Sequence, residues 1–176
     1  MNTTLKTPLC TPSQLIDFTL CDKNIKEEYL LRAIQLATDG DLTSCIGVPL
    51  LNSLKWLIAN NKTNDFQNEL LDSFIRPFLC WKALKIATVD MSFKLNNSGI
   101  YSNADTNKDQ ADFNIAQRMA QTYETNASGY LMRLTRVLCD CSKEITDTIA
   151  TVIAESNNEW WLQLNFYCSK TPLQII

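Results

Sequence analysis

The sequence predicts an all-α fold: a helical bundle with a long antiparallel helical hairpin and an extended C-terminal tail able to form a strand. Three observations carry that expectation. Two runs of apolar residues recur at alternating spacings of four and three, the period of a helix packed lengthwise against another. A stretch rich in turn formers separates the runs. Beyond Asn158 the period drops to two, the period of a strand. Length and composition suit this picture. A chain of 176 residues is the size of one domain, and 45% hydrophobic against 20% charged residues marks a folding chain rather than a disordered one.

In chain order, Thr11-Pro12 pairs an N-cap with a proline at the first helical position, and Leu15, Ile16 and Phe18 follow, so a short helix should run to about Thr19. Asp22 is expected to cap the next helix. There Leu30, Ala33, Ile34 and Ala37 fall at i, i+3, i+4 and i+7, and Tyr29 and Leu36 widen the stripe. That helix should end at Thr38-Asp39-Gly40. At Gly47-Val48-Pro49 glycine stops one element and proline opens another. Leu50, Leu54, Leu57 and Ile58 give the new helix a buried face, and Asn60-Asn61-Lys62-Thr63-Asn64 is a polar turn that ends it.

The first hairpin arm spans about 65–95 on the seam Leu70, Phe74, Pro77, Trp81, Leu84, Thr88, Met91 and Leu95. The second spans about 109–140 on Ala116, Ala120, Tyr123, Ala127, Tyr130, Leu134 and Val137. Pro77 should kink the first arm, because it lacks a backbone donor and crowds the preceding turn. Gly129 costs about 1 kcal/mol relative to alanine in mid-helix, which predicts a close packing contact or a bend there. The tip, 96–108, reads as a loop, with Gly99, Ile100 and Tyr101 as its contact residues. Cys139-Asp140-Cys141-Ser142 breaks the second arm. Ile145, Ile149, Val152 and Ile153 then suit a last helix, against the helix-weakening β-branched content of 146–153. Residues 1–157 thus form one helical domain and 158–176 a tail for docking on a partner.

The chain contains no histidine, which removes the usual general base, the commonest metal ligand and every Ser-His or Cys-His nucleophile. Four glycines leave little material for a phosphate loop, and no nucleophile elbow or zinc-protease pattern is present. Seven cysteines, an odd number without scaffold spacing, read as reduced thiols. Cys139 and Cys141 lack the second pair that a structural zinc needs and read as small buried thiols. Asp39-Gly40-Asp41 reads as a turn rather than a cation loop. Asp140, Glu144 and Asp147 read as a solvated helix start rather than an acid pair. No catalytic, cofactor or metal residue is assigned, and the expectation is a protein that is not an enzyme. A histidine-free enzyme with a cysteine nucleophile is the weakest of the readings weighed.

The net charge of −3, from 16 basic and 19 acidic residues without a like-charge block, gives no basic footprint for nucleic acid. Arg76, Lys82, Lys85 and Lys94 read as a solvated face. Residues 1–10 hold one lysine and no apolar core, and no stretch reaches a membrane span, so cytoplasmic synthesis without secretion is expected. The sequons at Asn2, Asn61, Asn96 and Asn126 are then silent. Trp160-Trp161 and the alternating Leu162, Leu164, Phe166 and Tyr167 are the candidate protein interface, either folding back on the domain or adding a strand and aromatic anchors to a neighbour.

Two stretches, LLRAIQLATDGDLTSCIGVPLLNSLKWL at 30–57 and FIRPFLCWKALKIATVDMSFKLNNSGI at 74–100, resemble the head-to-tail connector (adaptor or ring) proteins of tailed bacteriophages, most closely those of crAss-like phages. Gly47, Pro77 and Gly99 are the matching positions, and the likeness extends over roughly 30–138; residues from Ser142 onward depart from it. The resemblance implies a helical protomer in a ring, typically of twelve copies, between the portal protein and further tail or ring proteins, within the virion. DNA would pass through without sequence-specific binding. The residue-level alternative is a small helical scaffold or regulatory protein acting through coiled-coil-like pairing.

Overall fold

A computed structural model describes residues 7–19, 21–22, 24–96, 99–102 and 113–156. Capping chemistry sets two helix starts. Ahead of α1 (Pro12–Thr19), the Gln14 N–H donates to Thr11 Oγ1 at 3.2 Å while the Thr11 N–H donates to Gln14 Oε1 at 2.9 Å. Each side chain thus satisfies a donor that the helix end leaves open. Asn64 and Gln67 repeat the device before α4 (Asp65–Leu70), with both bonds at 2.9 Å.

The segment after α1 corrects two expectations. Asp22 does not cap a helix: it accepts the Asn24 N–H at 2.8 Å in a local turn, and α2 (Glu27–Ala37) starts without a side-chain cap. Nor does the helix stop at Thr38-Asp39-Gly40. The chain runs through a π-helical turn, Thr38–Leu42, where Thr43 Oγ1 donates to the Thr38 carbonyl at 2.6 Å, and continues into α3 (Thr43–Ala59). The true break is at Gly47, whose φ of 76° and ψ of 156° suit only glycine, and Pro49 restarts the helix. By length and composition Glu27–Ala59 could cross a membrane. Yet Gly47 divides it, and Leu30, Ala33, Ile34, Leu50 and Leu54 are buried in the core.

α4 leads through a second π-turn, Leu71–Ile75, into α5 (Arg76–Ser92). Where the sequence predicts a kink at Pro77, the backbone instead widens just before it. The wider turn makes room for a ring that would otherwise meet the carbonyl four residues back. α5 is the central element and packs on α6 (Phe113–Asp140), α2 and α1. Phe78, Leu79, Cys80, Ala83 and Ala87 are accordingly buried beside the seam residues Leu70 and Leu84. Thr88, the polar seam position, donates its hydroxyl to the Leu84 carbonyl at 2.8 Å.

α6 carries its burial on one stripe: Ala120, Ala127 and Leu134 are buried, with Ala116, Tyr123, Tyr130 and Val137 half-buried between them. Gly129 makes neither a close contact nor a bend. The helix is continuous there, and a Cβ added at Gly129 would meet nothing within 4 Å. Cys141 separates α6 from α7 (Ser142–Ser156), which packs on α3 through Val152 and Ile153 against Leu57 and Trp56.

The expected tip loop is a further correction where it is described; 97–98 and 103–108 lie outside the described residues. Phe93–Asn96 (β1) and Gly99–Ser102 (β2) form an antiparallel hairpin, so Leu95 ends in a strand rather than in the helical seam. Phe93-Lys94-Leu95-Asn96 alternates apolar with polar, and Ile100 and Tyr101 favour extended backbone. Two intervening residues are the commonest hairpin length. Among the described residues the fold is therefore all-α apart from this hairpin, and the tail expected to form a strand, 158–176, lies outside them.

Candidate interaction surface

The arms are fastened by charge on one side and aromatic rings on another. Lys82, only 9% exposed, donates from Nζ to Glu124 Oε1 at 2.8 Å and lies 3.3 Å from Asp41 Oδ1, while Lys85 Nζ reaches Glu124 Oε2 at 2.7 Å. The π-turn at Thr38–Leu42 thus presents Asp41 to Lys82 on the first arm, which in turn holds Glu124 on the second. Burial opposes the Lys82 charge, but the hydrogen bond to Glu124 and the Asp41 carboxylate raise its pKa above the ordinary lysine value. Burial likewise opposes the Glu124 charge, but the bonds from Lys82 and Lys85 hold its pKa below the usual carboxylate value. The expected solvated face of Arg76, Lys82 and Lys85 is therefore wrong for its central member. Arg76 is also engaged, through Nε to the Leu9 carbonyl at 3.1 Å and an ion pair with Asp72. The Lys94 side chain lies outside the described residues.

Phe18 of α1 sits edge-on to Trp81 at 6.0 Å and to Tyr130 at 6.2 Å, Trp81 stacks on Tyr123 at 5.8 Å, and the Arg133 guanidinium lies 5.5 Å from the Tyr130 ring centre. This group clamps α1 across both arms. Phe18 is legible as apolar in the sequence, but its partners lie more than sixty residues away and only the fold joins them.

With the arms held rigid, their far end becomes a platform. β1 continues directly from α5, and among the described residues no third strand pairs with the hairpin. Gly99 stands opposite Asn96, Ile100 opposite Leu95 and Tyr101 opposite Lys94, so the three expected contact residues occupy one strand. An isolated two-stranded hairpin is marginal in water, and its outer edges offer unpaired backbone donors and acceptors. The same end of the arms exposes Val89, Ile115 and Met119, and farther along α6 Met132 is 73% exposed. Ile115 and Met119 each sit one position before a seam residue, which is why the seam pattern alone overlooks them. The expected interface residues Trp160, Trp161, Leu162, Leu164, Phe166 and Tyr167 lie outside the described residues.

A groove of about 310 Å³ lies at the opposite end of the bundle core, between the α3–α4 turn and α7. Glu144, Asp147 and Glu155 line it; Lys62 Nζ binds Glu155 at 2.6 Å across it, and the buried Gln67 amide donates to Thr148 Oγ1 at 3.1 Å. Its carboxylates and hydroxyls are suited to holding polar or cationic groups. Cys139 is exposed and Cys141 half-buried, contrary to the expected buried thiols; the turn between α6 and α7 keeps them near solvent. Among the described residues the buried thiols are Cys10 and Cys80.

The model of a protein family of unknown function matches residues 42–151, spanning both arms, the hairpin and most of α7. No curated protein matches the chain, and no solved structure does.

Proposed function

The chain belongs to DUF6712, a family of unknown function, and on that premise we propose that it is a structural virion protein. It forms a ring between a phage portal and the tail and extends the DNA channel at the capsid vertex. It is not an enzyme in this reading and takes no cofactor. Its partners are further copies of itself in a ring of twelve, the portal protein, and further tail or ring proteins. DNA passes without sequence-specific binding, which suits a net charge of −3, since a basic lining would grip phosphates.

The observation that carries this reading is the unpartnered β-hairpin at the end of two rigid arms, beside exposed Val89, Ile115 and Met119. Backbone edges next to apolar side chains fit docking by strand addition onto a neighbouring subunit. The resemblance of 30–138 to connector proteins supports the same role, and the 158–176 tail supplies a second contact. The alternative of coiled-coil-like pairing needs a free four-three seam. Both seams are spent within the protomer, so that reading is the weaker one.

Native mass spectrometry of the chain, alone and mixed with the portal of the same virion, tests the proposal. The full chain should assemble on the portal as a ring. The double substitution Ile115→Asp with Met119→Asp should leave the fold intact, because both side chains are half exposed, yet abolish ring formation. Removal of 158–176 should leave a folded chain that no longer docks. Normal portal binding by both altered chains would sink the reading.

A further inference from the structure

Two thiols distant in sequence meet inside the bundle. Cys10 lies in the bend ahead of α1 and Cys80 in the middle of α5, and their Sγ atoms are 3.6 Å apart across seventy residues of chain. Both are buried, at 0% and 1% exposure, and both are free. The bend is pinned beside Cys80 by Leu9, itself 2% exposed, whose carbonyl takes the Arg76 Nε hydrogen bond at 3.1 Å. A disulfide needs the sulfurs at about 2.05 Å; a small approach of the bend, which precedes the regular helix, supplies the difference while α5 stays fixed.

We propose that Cys10 and Cys80 are a modification site, a dithiol that closes to a disulfide and bolts the N-terminal segment onto the central helix when the chain meets an oxidising thiol–disulfide pool. The oxidant is a small disulfide such as oxidised glutathione. It reaches the pair when residues 7–10, which precede the regular helix, lift from α5 and uncover Cys10; the Cys10 thiolate then attacks one of its sulfurs, forming a mixed disulfide and releasing one glutathione thiolate. Cys80 then gives its proton to that leaving thiolate and attacks the Cys10 sulfur. The second glutathione departs, and its thiolate is protonated by the hydrogen ion that Cys10 lost. One glutathione disulfide becomes two thiols, and two protein thiols become one disulfide.

The surroundings favour this order. The hydrogen bond from Cys80 lowers the Cys10 pKa against the opposing effect of burial, and Arg76 lowers it further. Cys80 is held far above the ordinary thiol value, first by that same hydrogen bond and then by burial. Once Cys10 is capped the bond is gone, and with it the main restraint on Cys80. A reducing pool keeps the pair open.

The test uses the full chain, purified reduced and then incubated with oxidised or reduced glutathione. Oxidation should give a peptide pair joined through Cys10 and Cys80 on mass mapping, beside whatever adducts the exposed Cys139 and half-buried Cys141 take, and raise Tm by about 5–15 °C, because the bond closes a long loop of the unfolded chain. Neither Cys10→Ser nor Cys80→Ser should show that rise, and Cys10→Ala serves as a second variant should a buried hydroxyl weaken the fold. Stable glutathione adducts without the cross-link, pairing of Cys80 with its half-buried neighbour Cys21, or a cross-link that leaves Tm unchanged or lowers it would each overturn the proposal.

Discussion

Gly129 and Lys82 sit on facing arms and represent opposite situations. Gly129 occupies the interior of a continuous helix with open space where a side chain would go, so the chain loses helix propensity there for no contact within the protomer. Gly129→Ala should therefore stabilise the isolated protein by about 0.5–1 kcal/mol, read as a Tm rise of about 2–4 °C. Lys82 is the reverse, a buried charge with every approach filled by a carboxylate. Lys82→Ala would leave Asp41 and Glu124 without their shared cation, and since Asp41 remains 46% exposed the loss should be about 2–3 kcal/mol rather than the full value for a sealed pair. Urea unfolding would measure it as a lower midpoint at unchanged slope. Lys82→Met, which keeps the stem that packs between the arms, should lose less.

At the scale of elements, sequence pattern succeeds where burial is one-sided. The α6 stripe from Ala116 to Val137 lies where the spacing puts it, because α6 is an outer helix and its other faces meet solvent. α5 is under-read for the opposite reason. With α1, α2 and α6 around it, residues off the seam such as Phe78 and Ala83 are buried too, and an all-round apolar helix has no single stripe to find. The π-turns leave no mark in the apolar spacing, because that spacing records which face is buried and not which carbonyl each backbone N–H takes. Of the candidate surface, Gly99, Ile100 and Tyr101 read as a loop and not as the strand they form, because a four-residue alternation is short beside a strong helical run. The Thr11 cap, which is local chemistry, reads well, whereas Asp22 makes a turn instead of a cap and Asn64 reads only as part of a polar turn. Asn64 and Gln67 satisfy two donors at the start of the first arm, so Asn64→Ala should destabilise the chain by about 1 kcal/mol. Thermal melts of that variant beside the conservative Asn64→Asp, which keeps the cap oxygen, would separate the cap from general surface effects.

At the scale of the whole molecule, one ionic cluster ties three layers, the Thr38–Leu42 turn, α5 and α6, and that makes stability depend on pH in a defined sense. The Glu124 pKa is depressed in the fold although burial opposes its charge, because Lys82 and Lys85 hold the carboxylate. A depressed carboxyl contributes stability above its unfolded value, near pH 4.3, and that contribution is lost as pH falls through the folded value. The Lys82 pKa is raised, against burial, by Glu124 and Asp41. Its contribution is complete below the unfolded value, near pH 10.4, and is lost as pH rises through the folded one. Stability from the cluster should therefore form a plateau between those limits, with the acid edge set by Glu124 and the alkaline edge by Lys82. Glu124→Gln isolates the acid edge: its Tm should lie below that of the parent at pH 7, and the gap should narrow as pH drops from about 5 to 3, where the parent loses the same charge. A gap that stays constant over that range would mean that the three layers are held by packing alone, and that the cluster only occupies the seam.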